Sequence, residues 1–285
     1  MKASKIYSMW FIVPAATIFS VFFLVPVLIS LFFSMTIWNF DSFRFVGFDN
    51  FVLFFSERSL AISMKNTVIY AFLSSGLKVV LAFFIAIFLT SRIKSKNFIR
   101  SLVFFPNLVS TIAIGMVFKS LLHPTKGFVN TVLGTVGIEG ISWLGNPDLA
   151  LYSVILTDVW KGVSIATVIY IAGIVSIDQT FYEAAAIDGA NEWSKLKNIT
   201  IPLVRPAMNT VILLSLIGGL RSFDLIWAMT GGGPGFASDV LASTIYKQYA
   251  AGFYGLSTAG NVIMLVLIGV IAFPLRKLLL QKEMD

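Results

Sequence analysis

Two pairs of charged residues stand inside long apolar stretches of this 285-residue chain: Asp158 and Lys161 in one, Arg221 and Asp224 in another. Each pair is spaced i, i+3, so on a helix its members share one face. Two kinds of chemistry suit such pairs. They neutralise one another and lower the cost of burial, or they line an aqueous path on which a polar solute binds. Covalent catalysis has little to work with. The chain has no Cys, and its single His, His123, lies beside Pro124 in a segment that reads as a solvated loop. Thiolate chemistry and a protein-built zinc or haem site are therefore excluded. No HExxH or GxSxG occurs, so an intramembrane enzyme lacks its reacting groups. GGGPGF at 231–236 has the glycines of a phosphate loop without the following Gly-Lys-Ser/Thr. It reads as a tight turn opening a loop, and no Walker A pattern occurs elsewhere, so the chain does not hydrolyse ATP by itself.

The elements that position these residues are set by hydropathy. Only 12% of the residues are charged, against about 25% in soluble domains, so lipid is the solvent for most of the surface. Six segments reach the length of a membrane helix, roughly 10–36, 66–90, 101–122, 149–177, 206–230 and 257–274. The N-terminus has the basic start of a secretory signal, but the uncharged run continues over 8–40, so it reads as a retained first span. We divide the chain into an N-terminal span with its outer loop, 1–62, and a core, 63–285. The segment 123–148 reads as an ordered outer loop with one interfacial helix.

The net charge of +7 does not mark a nucleic-acid binder, because no basic run is interleaved with aromatics. It is distributed as in a multi-pass membrane protein. With both termini inside, the inner segments hold Lys2, Lys5, Arg92, Lys94, Lys96, Arg100, Lys195, Lys197, Arg205, Arg276, Lys277 and Lys282. That is twice the number on the outer segments, which hold Arg44, Arg58, Lys65, Lys119, Lys126 and Lys247. Lys78 falls within a span and has no assigned role. At about 1.5 Å per residue, Asp158 lies about 12 Å in from the outer end of its span, and Arg221 about 22 Å up from the inner end of its own, so a polar layer forms in the outer half of the membrane. Ser215 falls near the level of Lys161 and Gly162.

One charged segment interrupts the apolar chain on the inner side: EAAAIDGANEWSKLKNITIP, 183–202. Asp178 and Thr180 are helix-start residues, and Thr180 with Glu183 fits a capping box. Ala184, Ala185 and Ala186 propagate a helix, and Gly189 after Asp188 stops it. Asn191 caps a second short helix, which Pro202 ends. Physically, this helix pair is either an amphipathic connector on the headgroups or a helix that docks on a soluble partner.

The pattern Glu183, Ala184, Ala185, Gly189, Ile199, Ile201 and Pro202 resembles the EAA loop of permease subunits of binding-protein-dependent ABC importers, with Ile201 where the family usually has Leu. WLGNPDLALYSVILTDVWKG before the loop, and RSFDLIWAMTGGGPGFAS and IYKQYAAGFYGLSTAG after it, are similar to the maltose/glycerol-phosphate/multiple-sugar branch. The resemblance implies an all-α, six-span type I importer permease in a bacterial or archaeal inner membrane. It implies an EAA loop at 178–205 that couples the chain to the ATPase through Glu183, Ala184, Ala185, Asp188, Gly189 and Pro202. The implied partners are a second homologous permease, two cytoplasmic ATPase subunits that hold ATP and Mg, an extracytoplasmic solute-binding protein and a sugar; the chain itself needs no cofactor. Counting from Glu183, the positions corresponding to sugar contacts in relatives are Asp158, Lys161, Gly162, Ile165, Ser215 and Gly219. Trp160 is placed to stack on a sugar ring, and Arg221 and Asp224 complete the polar layer. A self-contained proton- or sodium-coupled transporter, with Asp158 or Asp224 as carrier, is the alternative.

Overall fold

The computed structural model describes residues 9–39, 42–91 and 94–284. Lys2, Lys5, Arg92 and the side chain of Lys282, all used in the charge count, lie outside the described residues. Among the described residues, four helices are long and apolar enough to cross a membrane: α1 (Trp10–Phe33), α3 (Arg58–Thr90), α7 (Pro147–Val175) and α13 (Tyr254–Met284). A short hairpin, β1 (Thr36–Asn39) against β2 (Ser42–Phe45), and α2 (Asp49–Ser56) join α1 to α3. Between α3 and α7 run α4 (Lys96–Leu108), α5 (Thr111–Leu121) and the loop helix α6 (Phe128–Thr135). After α7 come α8 (Gln179–Ile187), α9 (Glu192–Leu203), α10 (Arg205–Leu220), α11 (Asp224–Met229) and α12 (Leu241–Ala250). The division expected at 62/63 falls within the unbroken helix α3.

One of the six expected spans, 101–122, is a bent pair and not a straight helix, and a second bend falls just before the expected span over 206–230. α4 and α5 turn by 100° at Val109–Ser110, and α9 and α10 turn by 65° at Val204. The expected span over 206–230 also ends early. Arg221 and Phe223 leave helical geometry (φ −108°, ψ 15° and φ −138°, ψ −58°), and α11 starts only at Asp224. Arg221 and Asp224 therefore do not share one helix face, and the i, i+3 argument fails for them. The 16 residues of α10 make about 24 Å of helix, short of a hydrocarbon core of about 30 Å.

Local chemistry explains the helix starts and the tolerated prolines. Asn146 caps α7 by accepting the Asp148 N–H at 2.9 Å, and Pro147 occupies the first turn, where no N–H is needed. Pro26 lies within α1 just after a π-turn over Ser20–Leu24, in which the Val25 N–H reaches back five residues to Ser20. Pro202 follows a second π-turn, Leu196–Thr200, with the Ile201 N–H bonded to Leu196. The wider turn makes room for a ring that lacks a donor. Pro202 thus lies inside α9 and does not end it, as the sequence had suggested.

The core is built where α7 and α10 pack on α3. Tyr70, Ala82 and Ala86 of α3 are buried with Val154, Ile155 and Tyr170 of α7 and with Val211 of α10. Small residues permit these approaches, since apolar burial alone does not drive helices together in lipid. A Cβ at Gly219 would stand 2.7 Å from the Cα of Ala71, so α10 closes on the backbone of α3. Near the N-terminal end of α3, Asn66 donates to the carbonyls of Ala237 and Asp239, and buried Asp239 pairs with Lys247 at 2.7 Å. α1 packs against α13 and buries none of its own apolar residues, as a lipid-facing helix does.

Candidate functional site

The inner segment is two helices around a glycine bend, as expected, with one correction to its start. The cap is Asp178, whose carboxylate accepts the Thr180 N–H at 2.9 Å, so Thr180 lies inside the first turn and the Thr180–Glu183 box does not form. That backbone donation, with a further bond from the Thr180 hydroxyl, holds the Asp178 carboxyl below the usual carboxylate range. At the other end Gly189 has φ +75°. The Gly189 N–H bonds Ala186 O at 3.1 Å and the Ala190 N–H bonds Ala185 O at 2.9 Å, the paired bonds of a Schellman stop. Asn191 caps α9 through the Ser194 N–H at 2.8 Å. The Tyr182 and Thr200 hydroxyls, 2.9 Å apart, tie α8 to α9.

Glu183, Ala184, Asp188 and Gly189 are exposed, while Ala185 is half-buried. The sequence reading missed the large apolar residues exposed beside them: Phe181, Ile187 (87% exposed) and Trp193 (69% exposed). Phe181, Ala184 and Ile187 recur at a spacing of three, one face of α8. Together they leave an exposed apolar stripe on a charged helix. Behind the pair, a cavity of about 610 Å³ separates it from the C-terminal ends of α3 and α7.

The second group of residues lines one wall of the bundle. Gly162 and Ile165 of α7 meet Ser215 and Gly218 of α10 around a pocket of about 270 Å³, and Lys78 of α3 closes it. Past Gly218 the exposed stripe of α10 continues through Arg221 and Asp224 to Trp227. Non-helical backbone at membrane depth is tolerated only where it is buried in protein or lines a water-filled cavity. The break at Arg221–Phe223 carries an exposed guanidinium, so this wall faces water or another protein chain, not lipid.

The ion pairs differ from those the spacing suggested. Asp158 pairs with Lys78, 2.6 Å away on α3, and Lys161 donates to the Thr111 hydroxyl at the start of α5. Among the described residues neither i, i+3 pair closes on itself.

Residues 78–283 match the family model of the binding-protein-dependent transport system inner membrane component. The chain belongs to this family. The permease is 32% identical over 259 residues to the trehalose/maltose transport system permease protein MalF of Thermococcus litoralis, covering 90% of this chain and 88% of the relative. It is 30% identical over 271 residues to the lactose transport system permease protein LacF of Rhizobium radiobacter, covering 92% and 90%. Its fold is that of a solved bacterial ABC transporter involved in the import of the acidic polysaccharide alginate, with a TM-score of 0.82 at 24% identity over 95% of this chain and 94% of that one. The permease is therefore a multi-pass inner-membrane protein with a type I importer fold.

The structure moves two expected sugar contacts of the permease out of the polar layer. Trp160 packs on Phe118, with ring centroids 5.2 Å apart, and lines a separate apolar groove with Leu102, Pro106 and Leu156. Its position, two residues before Gly162, puts it on the opposite flank of α7. Gly219 is buried against Ala71, and Gly218 takes its place on the wall. His123 orders its own turn, its Nδ1 accepting the backbone N–H groups of Thr125 and Lys126, both at 3.3 Å.

Proposed function

We propose that the chain is a translocation subunit of an ATP-driven carbohydrate importer, with α8 as its coupling helix. The observation that carries this reading is the exposed Phe181–Ala184–Ile187 face beside Glu183, on a capped helix pair between α7 and α10. A helix of this shape and charge suits a cleft in a cytoplasmic ATPase. Relatives named for trehalose, maltose and lactose transport support the carbohydrate class.

In this scheme both termini lie in the cytoplasm. A second permease faces the Gly162–Ser215 wall and completes the pathway, and an extracytoplasmic binding protein delivers the sugar to it. Two ATPase subunits, which hold ATP and Mg, grip Glu183, Ala184, Ala185 and Asp188, and their closure moves α8. Gly189 fixes the bend that presents α8, and Pro202 belongs to the stem that carries the motion inward. Asp158, Lys161, Ser215, Arg221 and Asp224 give the sugar its polar contacts. The role of this chain is mechanical and selective, not hydrolytic. The rival reading is a proton- or sodium-coupled transporter working alone, with Asp158, 2.6 Å from the Lys78 ammonium, or Asp224 as carrier.

The test is reconstitution of the chain with the second permease, ATPase and binding protein in liposomes, comparing native protein with Glu183→Lys. We expect the variant to insert normally and to lose ATPase binding or sugar-stimulated hydrolysis. Uptake that persists without the ATPase and follows a proton gradient would sink the importer reading.

A further inference from the structure

We propose that Phe223, Tyr246, Tyr249 and Asn261 form a sugar-stacking subsite at the end of the bundle away from α8 and α9, separate from the Gly162–Ser215 pocket. The proposal rests on the carbohydrate-permease reading and adds to it a landing place for one sugar ring.

The subsite is built by α12 and α13. The Leu241 N–H at the start of α12 donates to the Thr67 hydroxyl at 2.8 Å, near the start of α3, whereas the α8–α9 pair lies by the C-terminal end of α3. The Ser257 hydroxyl donates to the Ile245 carbonyl at 3.0 Å and ties α13 to α12. A Cβ at Gly260 would stand 2.7 Å from Ile245 Cγ1, so the two helices stay close. Tyr246 and Tyr249, three residues apart on α12 and so on one face, are 43% and 58% exposed. Phe223, at the break after α10, packs against Tyr246 with ring centroids 5.4 Å apart, and Trp227 backs both rings at 5.6 Å and 4.8 Å. Phe223, Tyr246 and Tyr249 surround a shallow cup of about 270 Å³ that Ser257 and Asn261 also line.

Asn261 decides what the cup holds. It lies seven residues into the span α13, about 10 Å along the helix. Its side chain is exposed and makes no hydrogen bond among the described residues. An amide turned to lipid is costly, so this side of α13 meets water or a polar ligand. No charged residue lines the cup, so it selects neither an anion nor a cation. The Tyr and Phe rings offer electron-rich faces to the apolar C–H face of a pyranose. The amide offers a donor and an acceptor to two adjacent hydroxyls at the edge of that ring. A lipid chain would use the aromatic faces and leave the amide unpaired. An apolar cup with a few convergent polar groups has the form of a small-molecule site.

The cup shares no residue with the Gly162–Ser215 pocket, but Phe223 joins them, because it stands between Arg221 and Asp224 of the exposed stripe that continues from Gly218. In the proposed scheme this end of the bundle receives the sugar from the binding protein. A ring held here comes before the one held at Ser215.

The experiment puts the photoreactive residue p-benzoylphenylalanine in place of Tyr249, which keeps an aromatic group in the cup of the full complex in liposomes. The complex is irradiated during ATP-driven uptake of radiolabelled trehalose, maltose or lactose, whichever the native complex imports. We expect sugar label on this chain, reduced about fivefold or more by Asn261→Leu, the scale of a lost hydrogen bond. A second arm carries radiolabelled phosphatidylethanolamine and unlabelled sugar. Label from the lipid and none from the sugar makes the cup part of an interfacial aromatic belt and overturns the proposal. Label from neither, or sugar label that Asn261→Leu leaves unchanged, overturns it too. Uptake tests the same point should the photoreactive chain fail to assemble. Asn261→Leu suits a lipid-facing position, yet it should slow import by about fivefold, and import at the native rate overturns the proposal. Failure of the importer reading looks different, because the native complex would then show no ATP-driven uptake at all.

Discussion

Gly189→Ala isolates the contribution of one backbone conformation to the coupling segment. Gly189 has φ +75°, and a Cβ placed there would meet nothing within 4 Å. The penalty is therefore conformational and not steric, about 1–2 kcal/mol for an L residue in the left-handed region. That corresponds to a shift of about 5- to 30-fold in the equilibrium between closed and opened turn. The reporters are the amides of positions 189 and 190, bonded to Ala186 O and Ala185 O. Their hydrogen-exchange rates should rise by about the same factor where exchange follows the opening equilibrium. Gly189→Asn should give a smaller rise, because Asn visits this region more readily. Gly76→Ala is the control: its glycine sits inside α3 without positive φ and with open space around it. It should leave the two amides unchanged. In the reconstituted complex, sugar-stimulated ATP hydrolysis should fall in the order Gly, Asn, Ala. Equal exchange in all three variants would refute the claim that the left-handed stop holds α8 in place.

Gly219→Val should lower thermal stability by about 1–3 kcal/mol, the range for overpacking, because the Ala71 backbone and the Ser74 hydroxyl stand in the way of the new side chain. A thermal melt in detergent followed by tryptophan fluorescence checks it, and an unchanged midpoint would contradict the close approach of α10 to α3. Asp178 predicts a pH effect confined to the start of α8. Its carboxyl is held below the usual range by the Thr180 N–H and then the Thr180 hydroxyl. The cap therefore contributes fully above the unfolded carboxylate value of about 3.9, and the contribution is lost as pH falls through the lower folded value. Asp178→Asn should cap comparably at neutral pH and remove this dependence, while Asp178→Ala should fray the first turn at every pH. Exchange at the amides of 179–182 measures both.

Much of this fold was legible because lipid imposes a simple rule on sequence. Long uncharged runs must be helices, and α1, α3, α7 and α13 follow from that alone. Gly189 and Asn191 were legible for a different reason, since each performs a backbone task that few residue types can perform. The misreadings lie where the deciding contact is remote in sequence or where neighbours compete. Lys78 had no assignment because its partner, Asp158, is 80 residues away, while the spacing argument offered Lys161 only three residues away. Asp178 and Thr180 are both competent caps two residues apart, and only the backbone shows which one accepts. The break at Arg221–Phe223 is invisible to hydropathy, because the apolar run continues through α11 to Met229. Trp160 and Gly219 were placed by counting along helices, which fixes depth in the membrane but leaves open which flank meets a neighbour.

The α8–α9 helix pair and the Gly162–Ser215 wall meet in one element, α10. Its first residue, Arg205, follows the 65° bend at Val204 where the inner helix pair ends. Ser215 lies ten residues on, about 15 Å along the helix, and Gly218 one turn further. At its root α10 is held close to α7: a Cβ on Gly173 would stand 2.6 Å from Ala207 Cβ and 2.9 Å from Val204 Cγ2. Beyond Leu220 the helix stops instead of running on to the outer face, so its end is not continuous with α11. At its other end α10 is held as closely to α3, where a Cβ on Gly219 would stand 2.7 Å from the Ala71 Cα. A helix packed tightly at both ends shifts as one body with its neighbours, so in the proposed scheme a displacement of α8 and α9 would be carried along α10 to Ser215, Gly218 and the Arg221 break together with α3 and α7.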